Sequence, residues 1–348
     1  MRINILLPNF GERPIGGFKI AYIYANYFAK AGHKVTIVHA HRTYEDSMIE
    51  FLKDWIGVFI YRPNWFRFRK GIRRVYCYHL SSRTVPKADV TIATSWRTAV
   101  ILNEMENSKG KKVYLIQGYE VWDDAKKNDV EATWLYDMQK VVVSKWLYNL
   151  GKEMGAQKLN YIPNSIDFRK YRLKRPVFSR GNTISMLYSD DMVKNSRMGI
   201  DALKIVREHI PGIQAKFFGK SPRNSRIPGW IQYFENPDQT YLVDEIYNSA
   251  GIFLCTSYTE GFGLPPMEAM ACGAALISTK NGGVEDFAID GETALLCDAN
   301  DAQKMADLIE KLLLDRALRI RIAKSRYHKV HEFKWKDSFE KFERLIRL

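Results

Sequence analysis

The sequence predicts an α/β protein of two units, each a parallel, doubly wound sheet. Three observations predict it. Short apolar runs of strand type alternate with helix-period text from the first residue onward. The alternation breaks at Tyr161-Ile-Pro-Asn-Ser-Ile-Asp167, where a strand-like run meets proline and polar residues before the basic, proline-bearing stretch Phe168–Arg180, and it restarts at Thr183. At 348 residues the chain is long enough for each unit to bury its own core, and it shows neither an internal repeat nor a low-complexity tract.

Taken in order, Arg2–Leu7 reads as a strand, Pro8–Gly17 as a loop containing Gly11, Gly16 and Gly17, and Phe18–Ala31 as a helix stopped by Gly32. Lys34–His39, Val90–Thr94, Lys112–Ile116 and Lys140–Val143 follow as strands, with helical text between several of them. Past the break come the strand Thr183–Tyr188, the helix Gly199–Glu208, the strand Gln214–Phe218, the helix Tyr241–Asn248 and the apolar run Gly251–Cys255. Pro265 and Pro266 then suit the first turn of another helix, where a missing N–H costs least. The expected division is 1–163 and 164–333, with a closing helix over 334–348 packed back on the first unit.

Composition excludes several classes. The apolar start Met1–Pro8 is too short for a signal-peptide core, and no later run approaches a membrane span, so a cytoplasmic protein is expected. Cys77, Cys255, Cys272 and Cys297 lack both metal-ligand spacing and the density of a disulfide scaffold, which leaves reduced, mostly buried thiols. Gly16-Gly17 is not the dinucleotide fingerprint, because no third glycine follows at the required spacing and no acid closes the second strand. Two glycines before a helix let backbone approach a ligand closely; a turn needing positive φ accounts for them equally well.

The densest chemical text is Glu260-Gly-Phe-Gly-Leu-Pro-Pro-Met-Glu268-Ala-Met-Ala-Cys-Gly273. It places Glu260 in a loop after the apolar run and Glu268 in the first turn of a helix, with unpaired N–H groups around Gly263 and Leu264 that attract phosphate. A carboxylate complementing the helix dipole is a sufficient structural reason for Glu268 taken alone. In the same half, Lys194 and Arg197 fall in a loop after a strand and before a helix, at the strand's carboxyl end, where open α/β sheets bind ligands. Cations there can neutralise a diphosphate, although solvated loop cations are the ordinary finding.

The text from Ser257 to Glu285 resembles the donor-site signature of retaining glycosyltransferases of the GT-B fold, family four (glycosyltransferase group 1), of the kind that serve polysaccharide synthesis. The resemblance covers nearly the whole chain, most specifically residues 251–296. It implies two Rossmann-like domains facing a central cleft and transfer of a sugar from a nucleotide-sugar donor to the hydroxyl of a glycan or lipid-linked acceptor. It implies that Glu260 hydrogen-bonds donor-sugar hydroxyls and Glu268 the ribose hydroxyls, that Lys194 and Arg197 meet the diphosphate, and that Gly261, Phe262, Gly263 and Leu264 line the donor site. Gly16 and Gly17 would face the cleft, and the nucleobase would meet backbone around Phe218-Gly219 and Tyr233–Asn236. No metal and no cofactor is expected, the charge of the leaving diphosphate being met by Lys194, Arg197 and the helix start. The departing phosphate would itself take the acceptor's proton on the same face of the sugar, so Glu260 and Glu268 are not read as a glycosidase pair.

The chain departs from the family pattern in three places. The arginine often found five positions before the lysine is Ser189, the glycine usually following the lysine is Asn195, and the frequent histidine of the first domain is absent from Ile116-Gln-Gly-Tyr-Glu120. Gln117, Tyr119 and Glu120 are the acceptor-side candidates.

Of the formal net charge of +14, residues 1–165 carry 25 Lys and Arg against 15 Asp and Glu, while residues 166–348 carry 28 against 24. The basic excess sits in the first half, densest at Arg62-Pro-Asn-Trp-Phe-Arg-Phe-Arg-Lys-Gly-Ile-Arg-Arg74. Basic residues interleaved with aromatics suit an anionic membrane surface, which fits a lipid-linked acceptor and a peripheral position at the inner face of a membrane. A solvated basic face with Trp65 and Phe66 turned into the core fits the same text. Nucleic-acid binding, a non-catalytic sugar-nucleotide sensor and a GT-B-fold sugar-nucleotide epimerase are the rival readings.

Overall fold

Two parallel sheets carry the chain in the computed structural model, which describes residues 1–9, 16–40, 65–121 and 126–348, the side chains of 326 and 327 excepted. Gly11, and Arg62 with the two residues after it, lie outside the described residues. The chain divides into Met1–Asn164 with Lys336–Leu348, and Ser165–Trp335.

The sheet of the first unit contains β1 (Arg2–Leu7), β2 (Lys34–Ala40), β3 (Arg73–Cys77), β4 (Val90–Ala93), β5 (Lys111–Ile116), β6 (Gln139–Val142) and β7 (Leu159–Tyr161). Their order is β3-β2-β1-β4-β5-β6-β7, all parallel. Among the described residues, the helices of this unit that precede the boundary are α1 (Gly16–Lys30), α2 (Trp96–Glu104), α3 (Lys127–Leu135) and α4 (Lys145–Glu153). Central strands read as continuous apolar runs because both faces are covered; Ile3, Ile5 and Leu6 of β1 and Val90 and Ile92 of β4 are all buried. Edge strand β3 lies in the basic stretch and begins with Arg73 and Arg74, so its sequence announces charge rather than a strand.

The second unit repeats the plan with β8 (Thr183–Leu187), β9 (Gln214–Gly219), β10 (Gln232–Glu235), β11 (Ile252–Cys255), β12 (Ala275–Thr279) and β13 (Ala294–Cys297), ordered β10-β9-β8-β11-β12-β13 and again all parallel. Its helices are α5 (Ser196–His209), α6 (Gln239–Tyr241), α7 (Leu264–Cys272), α8 (Ala302–Leu314) and α9 (Arg316–His331). The helix expected over Tyr241–Asn248 is instead the short α6, capped by Asp238, running into a π-turn over Leu242–Tyr247. Helix α7 is almost wholly buried from Pro266 to Cys272 and stops at Gly273, whose φ of 117° and contact with the Arg180 guanidinium leave no room for a side chain.

The closing helix α10 (Trp335–Arg347) belongs to the first unit. Phe342 meets Tyr24 edge-on at 4.8 Å, Phe339 stacks on Tyr27 at 4.1 Å, and the Ser338 hydroxyl donates to the Pro163 carbonyl at 2.7 Å. Cys255, Cys272 and Cys297 are buried free thiols and Cys77 is a half-buried one.

Candidate active site in the second unit

In a doubly wound sheet the strand order reverses once, and ligands bind outside the carboxyl ends of the two strands at that point. In the second unit those strands are β8 and β11. The loop after β8 carries Lys194, and the loop after β11 carries Glu260. The two side chains meet: Lys194 Nζ donates to Glu260 Oε1 at 2.7 Å, and the Ser257 hydroxyl donates to the same oxygen at 2.6 Å. Lys194 is 28% and Glu260 12% exposed, so the pair is shielded enough for its charges to matter. Burial works against the Lys194 ammonium, but the charge of Glu260 and its hydrogen bond more than offset it, and the pKa of Lys194 lies above its ordinary value.

Backbone contacts fix both loops. Glu260 N–H donates to the Asn281 carbonyl at 3.0 Å and Tyr258 N–H to the Val193 carbonyl at 2.8 Å, while Thr256 Oγ1 donates to the Lys194 carbonyl at 2.8 Å. Asn195, which stands where relatives of the resembled type carry glycine, adopts the left-handed conformation at φ 46° and donates through Nδ2 to the Ala299 carbonyl at 2.8 Å. Asparagine tolerates that conformation better than other side-chain-bearing residues, which explains the replacement. Ser189, where an arginine is common, exchanges hydrogen bonds with Ser196: its N–H donates to Ser196 Oγ at 2.9 Å and its carbonyl accepts from the same hydroxyl at 2.9 Å.

Gly263 precedes α7 at φ 85°, and a Cβ there would lie 2.8 Å from Val284 Cγ1. Glu268 lies in the second turn of α7, not the first, because the helix opens at Leu264. That position turns its carboxylate into the unit, where it is 5% exposed and accepts from the Tyr247 hydroxyl at 3.2 Å.

Residues 167–329, nearly the whole of this unit, match the family model of glycosyl transferases group 1. The second unit is a glycosyl transferase group 1 domain. Over 100 residues the chain is 36% identical to the D-inositol 3-phosphate glycosyltransferase of Corynebacterium jeikeium, covering 29% of this chain and 24% of that protein. The alpha-maltose-1-phosphate synthase of Mycolicibacterium smegmatis is 35% identical over 104 residues, covering 28% of this chain and 27% of that one. The matched segment thus spans about a quarter of the length of these curated relatives. Over the full length, the Anabaena Alr3699/HepE structure in complex with UDP and glucose superposes with a TM-score of 0.78 at 13% identity, covering 100% of this chain and 99% of that one. The sucrose-phosphate synthase of Thermosynechococcus elongatus superposes with a TM-score of 0.73 at 17% identity, covering 99% and 98%. The fold is GT-B, with two Rossmann-like units in one chain.

Not every expected residue of the group 1 domain joins the Lys194–Glu260 pair. Arg197 lies in the first turn of α5 rather than in the loop before it; its side chain is 92% exposed and sits 3.6 Å from Asp201. Phe262 is buried between Phe287 and Phe333, each 5.7 Å away, so only its backbone is left for a ligand. Gly261 precedes it on the same loop, and Leu264 is the first residue of α7. Gly219 ends β9 against the Tyr188 carbonyl and the Tyr233 hydroxyl, which a Cβ there would meet at 2.4 and 2.7 Å. Sequence reasoning gave no role to Lys280-Asn281-Gly282-Gly283, yet this turn pins the backbone of Glu260: Gly282 bridges to Glu260, and a Cβ on Gly283 would lie 2.6 Å from the Glu260 carbonyl. The Asn-Gly-Gly run was the available signal.

In the first unit the expected residues gather at the carboxyl ends of β1, β4 and β5. Gln117 Nε2 donates to the Gly17 carbonyl at 3.2 Å, and Gly16 opens α1. The Tyr119 hydroxyl donates to Glu131 at 2.5 Å. Glu120 accepts from the Trp96 N–H at 2.6 Å and from the Tyr114 hydroxyl at 3.5 Å. Burial pushes the Glu120 carboxyl up to about 7, against those bonds and the charge of Arg97, which all favour its ionised form. Trp65, Phe66 and Phe68 turn inward onto Tyr22, at 5.4, 5.2 and 4.7 Å, leaving Arg67, Arg69, Lys70 and Arg73 exposed. Among the described residues no helix is long and apolar enough to cross a membrane.

Proposed function

We propose that this protein is a retaining glycosyltransferase that moves a sugar from a nucleotide-sugar donor to an acceptor hydroxyl, in the synthesis of a cell-surface polysaccharide or glycolipid. The observation that carries the reading is the ion pair of Lys194 with Glu260 at the switch point of a group 1 domain. The complex of HepE with UDP and glucose supports a nucleotide-sugar as donor.

In this reading Lys194 and the N–H groups at the start of α7 stabilise the charge that grows on the departing diphosphate. Arg197 reaches that charge only by leaving Asp201, so its share is smaller. Glu260, held by Lys194 and Ser257, orients the hydroxyls of the donor sugar, and Glu268 takes the ribose. The acceptor hydroxyl attacks the anomeric carbon from the face the diphosphate leaves, and its proton passes to the leaving phosphate oxygen. One bond forms and one breaks on the same face, which retains configuration without a covalent enzyme intermediate or a metal. Gln117 and Glu120 mark the acceptor side. The exposed cations Arg67, Arg69, Lys70 and Arg73 suit a peripheral, electrostatic contact with the cytoplasmic face of a membrane bearing a lipid-linked acceptor.

The test is a thermal-shift screen with UDP, GDP, ADP, CDP and dTDP, followed by product analysis with the donor it selects. A ligand at a hundred times its dissociation constant stabilises by about 2.7 kcal/mol. Stabilisation by one diphosphate, with transfer of the sugar to an added acceptor and retained anomeric configuration, is expected. Binding without turnover would favour a sensor, release of a free altered sugar an epimerase, and stabilisation by none of the five would overturn the nucleotide-sugar reading.

A further inference from the structure

The carboxylate of Glu268 is nearly closed off, and burying a charge without partners is costly. Two phenols meet it. Tyr247 donates to Oε2 at 3.2 Å, and Tyr171 hydrogen-bonds the same carboxylate from the opposite stretch of chain, just past the unit boundary. The Tyr171 oxygen accepts from Gln239 Nε2 at 2.8 Å, which leaves its own O–H to point at Glu268. Burial, and then the charge of Glu268, push both phenols upward, so both remain protonated donors at neutral pH.

The local structure that brings Tyr247 there is unusual. It closes the π-turn Leu242–Tyr247, a conformation that is rare and concentrated at functional sites. Its ring is wedged edge-on between Phe218 at 5.6 Å and Phe253 at 5.7 Å, so the hydroxyl has one direction available. A vicinal diol binds a carboxylate through two O–H donors at once, and both bonds depend on the plane in which the carboxylate is held.

We propose that Tyr171 and Tyr247 are positioning residues that hold the Glu268 carboxylate in the orientation needed to distinguish a ribose diol from a 2′-deoxyribose. This rests on the reading of Glu268 as the ribose contact. Gln239 supports the arrangement by fixing Tyr171.

The experiment is calorimetry with UDP, GDP, ADP and CDP, each against its 2′-deoxy counterpart, on the wild type and on Tyr171→Phe, Tyr247→Phe and Gln239→Leu. Circular dichroism and a thermal scan establish that each variant is folded. The wild type should prefer the ribose form of its tightest-bound pair by about tenfold or more, the scale of one hydrogen bond to a charged group. Both Phe variants should shrink that ratio to about threefold or less by losing affinity for the ribose form alone, and Gln239→Leu should shrink it partway. A wild type with no ribose preference would overturn the ribose role of Glu268, and the inference with it. A preference that survives unchanged in folded Tyr171→Phe and Tyr247→Phe would sink the positioning role while leaving the ribose role standing. Should both Phe variants fail to fold, Gln239→Leu decides, since Gln239 is exposed: an unchanged ratio there overturns the arrangement.

Discussion

Lys194 and Glu260 are residues whose value lies in each other: a half-buried ammonium and a half-buried carboxylate at 2.7 Å, with Ser257 on the same oxygen. Lys194→Ala should weaken binding of the selected nucleoside diphosphate by about tenfold or more, because a cation facing a dianion makes charge-assisted bonds that water replaces poorly. Calorimetry reads this directly, and an unchanged affinity removes Lys194 from the site. Glu260→Gln should lower turnover with diphosphate affinity nearly kept, since the amide still accepts from Ser257. Glu120 gives a pH signature. Its folded pKa of about 7 lies above the ordinary 4.5, so the folded state holds a proton the unfolded state has lost between those values. The stability it contributes is therefore full below about 4.5 and lost as pH rises through about 7. Glu120→Gln has no such loss, so its melting temperature relative to wild type should climb from about pH 5 to 7 and then level. A difference constant with pH would show the carboxyl to be unperturbed. His39, pushed down to about 4 first by burial and then by Arg74, against its bond to the Asn9 carbonyl, has the opposite sign and cancels because both proteins contain it.

Elements place these residues through short, constrained turns. Asn195 holds the left-handed step between the Lys194 turn and α5. Asn195→Ala should cost about 1–2 kcal/mol, the strain of a side chain in that conformation, together with the lost bond to Ala299. Asn195→Gly should cost less, because glycine takes the same φ without strain. Urea unfolding of the two variants compares them, and equal losses would assign the effect to the hydrogen bond instead. Arg180 staples the other end of α7, donating to the carbonyls of Cys272 at 2.5 Å and Ala250 at 2.9 Å. It has no need of a carboxylate partner because five backbone and amide acceptors surround it.

At the scale of the whole molecule, each unit has its own core, and α10 returns the chain to the first. Phe342 is fully buried against Tyr24 and Phe28, so Phe342→Ala should cost the first unit about 3–5 kcal/mol. The second unit should keep its nucleotide-dependent stabilisation in the same variant, and its loss would mean that the two units do not unfold independently. The net charge of +14 concentrates in the first half of the chain. Sedimentation with vesicles of increasing anionic lipid should carry down the wild type at low salt and carry down less of a variant with Arg67, Arg69, Arg73 and Arg74 changed to Gln. Equal recovery of both in the supernatant at every composition would remove the membrane contact and favour a soluble acceptor.

Sequence by itself determined the alternation from β1 to β9 with β3 excepted, the break near Asn164, the helix behind Pro265 and the text that carries Glu260 and Glu268. These are local facts: apolar period, proline and glycine act on their immediate neighbours. It was silent on β3, whose arginines hide an edge strand, and on the π-turn, since a widened helical turn leaves the residue pattern of an ordinary helix. Only tertiary structure decided which cation reaches Glu260. Lys194 and Arg197 stand three residues apart and look alike as text, but the turn at Asn195 sends one toward β11 and the other onto the exposed face of α5. Likewise Phe262, Tyr171 and Tyr247 took their places through packing between distant segments, and contacts across the chain leave no period in the sequence from which to read them.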